Sequence, residues 1–202
     1  MRKIKAIAYI FAALLMAVSC NDWLNVGSEE EVFEDDAFSS TKGYRSALIG
    51  IYKTVASPSL YGQELTWGLK STLSWNYKAG QCVTSYRSIL SEESLDNSAG
   101  RSVANSIWSK AYFAIANCNE LLQKIDECDD TFEYSWEKQM IMAEARGLRG
   151  LLHFEMLQLF VPAPVTGYEG QALPYVTSYP DLKPAYKSMK EYLDLVVEDL
   201  TY

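Results

Sequence analysis

Two long apolar stripes dominate this chain and leave it few folds to choose from. Trp108, Ala111, Ile115, Cys118, Leu122 and Ile125 recur at three- and four-residue steps, and Ile141, Ala145, Leu148, Leu152, Met156 and Leu159 repeat the pattern further on. Such steps place the side chains on one face of a helix. A helix with an apolar face has to bury it, and the polar segment from Asp126 to Ser135 is short enough to make the two helices antiparallel neighbours. A helical hairpin is the predicted centre of the fold.

Two further stripes flank it. Tyr44, Ala47, Leu48, Ile51, Tyr52 and Val55 predict a helix that starts after the capping residues Ser39, Ser40 and Thr41 and ends near Ser57-Pro58. Met189, Tyr192, Val196 and Leu200 predict another over Met189–Leu200. Paired antiparallel helices of this size are the unit of helical-repeat proteins. The expected class is therefore all-α, of a TPR-like helical-repeat type, with long irregular loops. Trp108, Tyr112, Trp136 and Tyr192 fall on or beside the stripes and are expected in the core. Gly147 and Gly150 weaken their helix by up to about 1 kcal/mol each relative to Ala, or else permit close helix approach.

The first residues carry a different message. Arg2, Lys3 and Lys5 precede thirteen apolar residues, Ala6 to Val18, and the run ends in Ala17-Val18-Ser19-Cys20. A basic start, a short apolar middle and small residues before a cut mark an export segment. It is too short to span a bilayer, which takes about 20 residues. A Cys directly after the cut is the lipid acceptor of bacterial lipoproteins; Ala17 stands where such signals usually have Leu, and an ordinary secretory signal is the alternative. Residues 1–19 are thus expected to be removed, leaving residues 20–202 as one domain anchored through Cys20. The formal charge of −8 includes those three cations, so residues 20–202 carry −11. That balance disfavours phosphate-rich partners, and nucleic acid is excluded as a ligand class.

Catalytic and metal chemistry finds little to work with. Cys82, Cys118 and Cys128 are too few and too unevenly spaced for a disulfide framework and can form at most one pair. They make no Cys-x-x-Cys unit, and His153 is the single histidine and sits inside a helical stripe, so a zinc site has no ligand set. Asp126, Asp130 and Glu137 match positions of a calcium loop, but Cys128 and Thr131 stand where it needs an oxygen ligand and a Gly. The acidic residues Glu29 to Glu31, Asp35-Asp36 and Asp129-Asp130 lie in polar runs, unlike the buried, raised-pKa carboxyl that glycoside hydrolysis requires. No nucleophile elbow or cofactor-binding glycine motif is present. No metal or cofactor is expected, and these residues give no sign of an enzyme.

The order of short motifs resembles the SusD/RagB family. Cys20-Asn21-Asp22-Trp23-Leu24-Asn25-Val26 is similar to its anchor segment, and Ala37-Phe38 and Gly50-Ile51-Tyr52 to its first helix. Ile107-Trp108 through Tyr112, Ile115, Asn117 and Asn119 to Leu122, followed by Ala143-Glu144-Ala145-Arg146, Leu148-Arg149, Phe154, Leu157 and Phe160, match its two most specific blocks. Val161-Pro162-Ala163-Pro164-Val165, Leu173-Pro174-Tyr175-Val176 and Glu198-Asp199-Leu200 complete the series. Gly150 and Val161 depart from the family's usual Ala and Gly, and Gly27-Ser28 replace an expected proline. The resemblance implies an outer-membrane, surface-exposed lipoprotein that captures oligosaccharide or polysaccharide and delivers it to a SusC-like TonB-dependent transporter. It also implies that these residues correspond to the N-terminal portion of a longer protein, with a genuinely short relative as the alternative. A peptide-capturing transporter lid is the alternative.

The ligand surface is best sought between Ser59 and Asn105, a stretch rich in Ser, Asn, Gly, Trp and Tyr with no sustained period, because loops that long usually serve a function. Sugars offer flat C–H faces rimmed by hydroxyls, which aromatic rings cover and amide or guanidinium groups bond. Trp67, Trp75, Asn76, Tyr77, Tyr86 and Arg87 supply those types. Trp75 and Tyr77, alternating in a polar context, are the pair expected to be most exposed. Arg146 and Arg149, with Glu144 and Glu155, are expected to form ion pairs on or between helices.

Overall fold

The computed structural model describes residues 38–202 apart from 83, 93–94 and 129–130. The export segment, Cys20 and the acidic runs at residues 29–31, 35–36 and 129–130 lie outside the described residues. In chain order the elements are α1 (Thr41–Val55), α2 (Leu69–Leu73), α3 (Thr84–Glu92), α4 (Ser98–Glu127), α5 (Ser135–Phe160), β1 (Gln171–Pro174), β2 (Tyr186–Ser188) and α6 (Met189–Leu200). The fold is all-α, with one small antiparallel hairpin in which Gln171 faces Ser188 and Pro174 faces Tyr186.

The two stripes form the predicted hairpin. Trp108 meets Phe160 edge-on, Tyr112 meets His153, and Arg149 reaches Asn119, pairings that require α4 and α5 to run antiparallel. Ile107, Ala111, Ile115, Cys118, Leu122 and Ile125 are buried against Ile141, Ala145, Leu148, Leu152 and Met156. Each fully buried Leu or Ile contributes about 1.5–3 kcal/mol. α6 packs antiparallel on α5, where Gly150 faces it so closely that an added Cβ would stand 3.0 Å from the Asp199 Cβ. Gly147 has open space instead. Of the two glycines, Gly150 alone serves close helix approach.

Helix starts follow local capping chemistry. Ser40 accepts from Gly43 N, Asn97 from Gly100 N, and Ser188 with Glu191 forms a full capping box on α6. α4 begins ten residues before its first stripe residue, so Ser98 to Asn105 belongs to a helix and not to the irregular stretch. Those first turns mix small and polar residues, with Val103 their one large apolar side chain, and so give no apolar stripe to read. α2 and α3 also lie inside that stretch, and at five and nine residues they are too short to show a sustained period.

Trp136 is a second correction: it is 56% exposed, not core. It sits in the first turn of α5, ahead of the first buried stripe residue, and stacks outside on Tyr134 with centroids 6.2 Å apart. Tyr192 is fully buried, while Trp108 and Tyr112 are half-buried against the core.

Candidate functional site

The residues that follow α1 form a chain of turns rather than a free loop. Tyr61 N donates to Val55 O at 3.0 Å, Leu60 N to Ser57 O at 2.9 Å and Leu65 N to Leu60 O at 2.9 Å. Leu60, Leu65 and Leu69 turn inward and are buried. Gly62 passes so close to the end of α1 that an added Cβ would lie 2.4 Å from Ala56 O. α2 is then tied to the helical hairpin by charge. Lys70 Nζ reaches both carboxylate oxygens of buried Glu155 at 2.8 and 2.7 Å, and Tyr61 OH donates to the same group at 2.9 Å.

This tether presents two tryptophans at opposite ends of α2. Trp67 precedes it and is 57% exposed; Trp75 follows it and is 64% exposed. Trp75 takes φ = 57°, the left-handed region that bulky residues rarely adopt. Tyr77 OH donates to Trp67 O at 2.8 Å and fixes the second turn against the first.

A cleft of about 220 Å³ opens between these turns, lined by Trp67, Tyr77, Gln81, Cys82 and Tyr86. Tyr86, on α3, is buried; its hydroxyl donates to Glu64, 2.7 and 2.8 Å from the two carboxylate oxygens, and accepts from Gln63 Nε2 at 2.9 Å. Burial first, then the Glu64 carboxylate, pushes the Tyr86 phenol up to about 12, so it stays a neutral donor. A separate hollow of about 230 Å³ is lined by Leu73, Trp75, Ile89 and Leu90.

The candidates named from sequence therefore divide. Trp67, Tyr77 and Tyr86 meet in one cleft, whereas Trp75 lines the neighbouring hollow; Tyr77 is half-buried against the core, so the exposed rings are Trp67 and Trp75 and not the alternating pair Trp75 and Tyr77. Asn76 is exposed, with its amide 3.4 Å from Ser71 Oγ. Arg87 is exposed and donates to Cys82 O at 3.2 Å, which directs it at the backbone near the cleft. Sequence reasoning missed Gln81, a rim amide, and the Gln63-Glu64 pair beneath the cleft. Gln81 follows Trp67 and Tyr77 closely enough to have been noticed; Glu64 gives no local signal, since its partner Tyr86 is 22 residues away.

The arginines of α5 serve the interior. Arg149 Nε and Nη2 donate to the two oxygens of Asp199 at 2.7 and 2.6 Å, Nη1 donates to Asn119 Oδ1 at 2.8 Å, and Tyr175 OH donates to Asp199 at 2.6 Å. Asn119 Nδ2 in turn bonds Val176 O at 3.0 Å. This buried network locks α4, α5, α6 and the segment after β1 together, and Arg149 is committed to it. Arg146 lies over the Tyr202 ring at 4.3 Å. Glu144 accepts from Tyr52 OH on α1. Among the described residues no group of three or more His, Cys, Asp or Glu is placed to hold a metal ion, and the three described cysteines are free thiols.

Aromatic faces beside neutral amide and hydroxyl groups fit a ligand with flat C–H surfaces and many hydroxyls. A SusD-like family model, described as starch-binding associating with outer membrane, matches residues 22–200. The SusD-like protein P25 of Formosa agariphila is 25% identical over 163 residues, covering 78% of this chain and 30% of that protein. A crystal structure of a SusD superfamily protein from Bacteroides thetaiotaomicron superposes with a TM-score of 0.60 at 22% identity, over 80% of this chain and 36% of the other. The chain thus spans about a third of the length of the relatives it matches.

Proposed function

The chain belongs to the SusD-like family, and from that premise we propose that it is a glycan-binding lipoprotein of the outer membrane. Anchored through Cys20 and exposed at the surface, it captures oligosaccharide and passes it to a SusC-like TonB-dependent transporter. It binds and does not cleave. The observation that carries this reading is the cleft between Trp67 and Tyr77, with Gln81 at its rim and a second exposed indole, Trp75, beyond α2. A ring in that cleft has an aromatic plane for its C–H face and the Gln81 amide for its hydroxyls.

The test is a polysaccharide and peptide panel against the purified chain and its Trp67→Ala and Trp75→Ala variants. Saturable glycan binding that weakens about tenfold or more in Trp67→Ala, with unchanged circular dichroism, is the expected result. Peptide binding in place of glycan binding would turn the reading to protein-derived nutrients. Palmitate labelling that disappears in Cys20→Ser would support the anchor, and copurification with an outer-membrane transporter the docking.

A further inference from the structure

We propose that Glu64 is the positioning residue of this cleft: without touching ligand, it sets where the Trp67 ring stands. The inference rests on the glycan reading given above. α2 begins at Leu69 behind Gly68, which has no side chain with which to cap a helix. Glu64 Oε2 does so instead, accepting from Leu69 N at 3.0 Å. Gly68 leaves room for this, since an added Cβ there would lie 2.8 Å from Glu64 Oε2 and 2.9 Å from Gln63 O. The same carboxylate receives Tyr86 OH from α3, and Gln63 Nε2 bonds both the phenol oxygen at 2.9 Å and Glu64 at 3.2 Å.

Trp67 lies inside the loop that this carboxylate closes, between Glu64 and Leu69. Its own carbonyl is held from the far side by Tyr77 OH. One group thereby joins the turn that carries Trp67, the first N–H of α2 and the tyrosine beneath the cleft. An indole more than half exposed has few contacts of its own to orient it, so the backbone beneath must supply the order. Order present before binding does not have to be gained on binding, which raises affinity without adding a contact. Ala at position 64 would leave the Leu69 N–H and the Tyr86 hydroxyl to water and loosen the turn, which would keep its backbone bonds from Gly68 N to Gln63 O at 2.7 Å and from Lys70 N to Glu64 O at 2.9 Å but lose the carboxylate's tie to α3. Gln keeps one acceptor oxygen, which at the Oε2 position serves both Leu69 N and Tyr86 OH, but it turns an NH2 group towards the Gln63 amide nitrogen that now donates to Oε1.

The experiment labels the full chain with 5-fluorotryptophan, assigns the Trp67 resonance by its loss in Trp67→Phe, and compares Glu64→Ala and Glu64→Gln with wild type. In Glu64→Ala the Trp67 resonance is expected to shift or broaden while that of Trp108 stays in place. Affinity for the panel glycan is expected to fall about tenfold, with Glu64→Gln between the two. An unmoved Trp67 resonance in Glu64→Ala would sink the proposal. Movement of Trp67 and Trp108 together with a collapsed melting transition would sink it too, because Glu64 would then support the whole fold. If wild type binds no glycan, the ligand reading fails alone, and the fluorine spectrum still decides whether Glu64 sets Trp67.

Discussion

His153 is fully buried and pinned at both ring nitrogens. Tyr192 OH donates to the His153 carbonyl at 2.8 Å, so its oxygen is free to accept from Nδ1–H at 3.0 Å, while Nε2 accepts from Val176 N at 3.3 Å. Its ring also stacks on Tyr175 at 3.9 Å. Burial, ahead of any charge effect, lowers its pKa to about 4 from an unfolded value near 6.5. The unfolded chain therefore takes up the proton first. This contribution to stability is complete above pH 6.5 and is lost as pH falls towards 4, by about 3 kcal/mol in all. Melting curves from pH 7 to 4.5 should show that loss, and His153→Gln should flatten the slope even if it lowers the starting value. Asp199→Asn should cost about 3–5 kcal/mol by urea unfolding, because Arg149 would stay buried without its counter-charge. The His153 reading was accessible from sequence, since a lone histidine on an apolar stripe is usually core. The Arg149–Asp199 pair was legible only as types, because the partners are 50 residues apart.

Among elements, α5 carries two glycines that make opposite predictions. Gly147→Ala adds a methyl group to open space in a helix interior and should stabilise by up to about 1 kcal/mol. Gly150→Ala puts a Cβ 3.0 Å from the Asp199 side chain and 3.3 Å from Val196 O, so α6 must give way at about 1–3 kcal/mol. Urea midpoints of the two variants on opposite sides of wild type would bear this out; the same sign for both would refute it. Long helices announced themselves because a face must be apolar over many turns to be buried. α2, α3 and the hairpin did not, since three to nine residues hold too little pattern, and their stability comes from partners such as Glu155 and Glu64. Trp136 shows the same limit from the other side, because the next residue, Glu137, is buried and paired with Arg45 of α1 while Trp136 falls on the face of that turn left to solvent, and local spacing does not say which face finds a neighbour.

At the scale of the molecule, the acidic balance and the neutral lining of the cleft argue for recognition without charge. Glycan affinity should accordingly change less than about twofold between 50 and 500 mM salt, as titration calorimetry would measure; a steep fall with salt would point to an anionic ligand held by cations. The helical hairpin, the flanking helices, the all-α class and the family were determined by the sequence itself, because periodicity, capping and motif order are properties of neighbouring residues. Which aromatic rings share a cleft was decided only by the tertiary structure. Trp67 and Tyr86 are brought together by a carboxylate between turn and helix, and their turn is seated by Lys70 on Glu155, 85 residues away. Contacts between distant residues depend on how the elements pack, and local spacing carries no record of that.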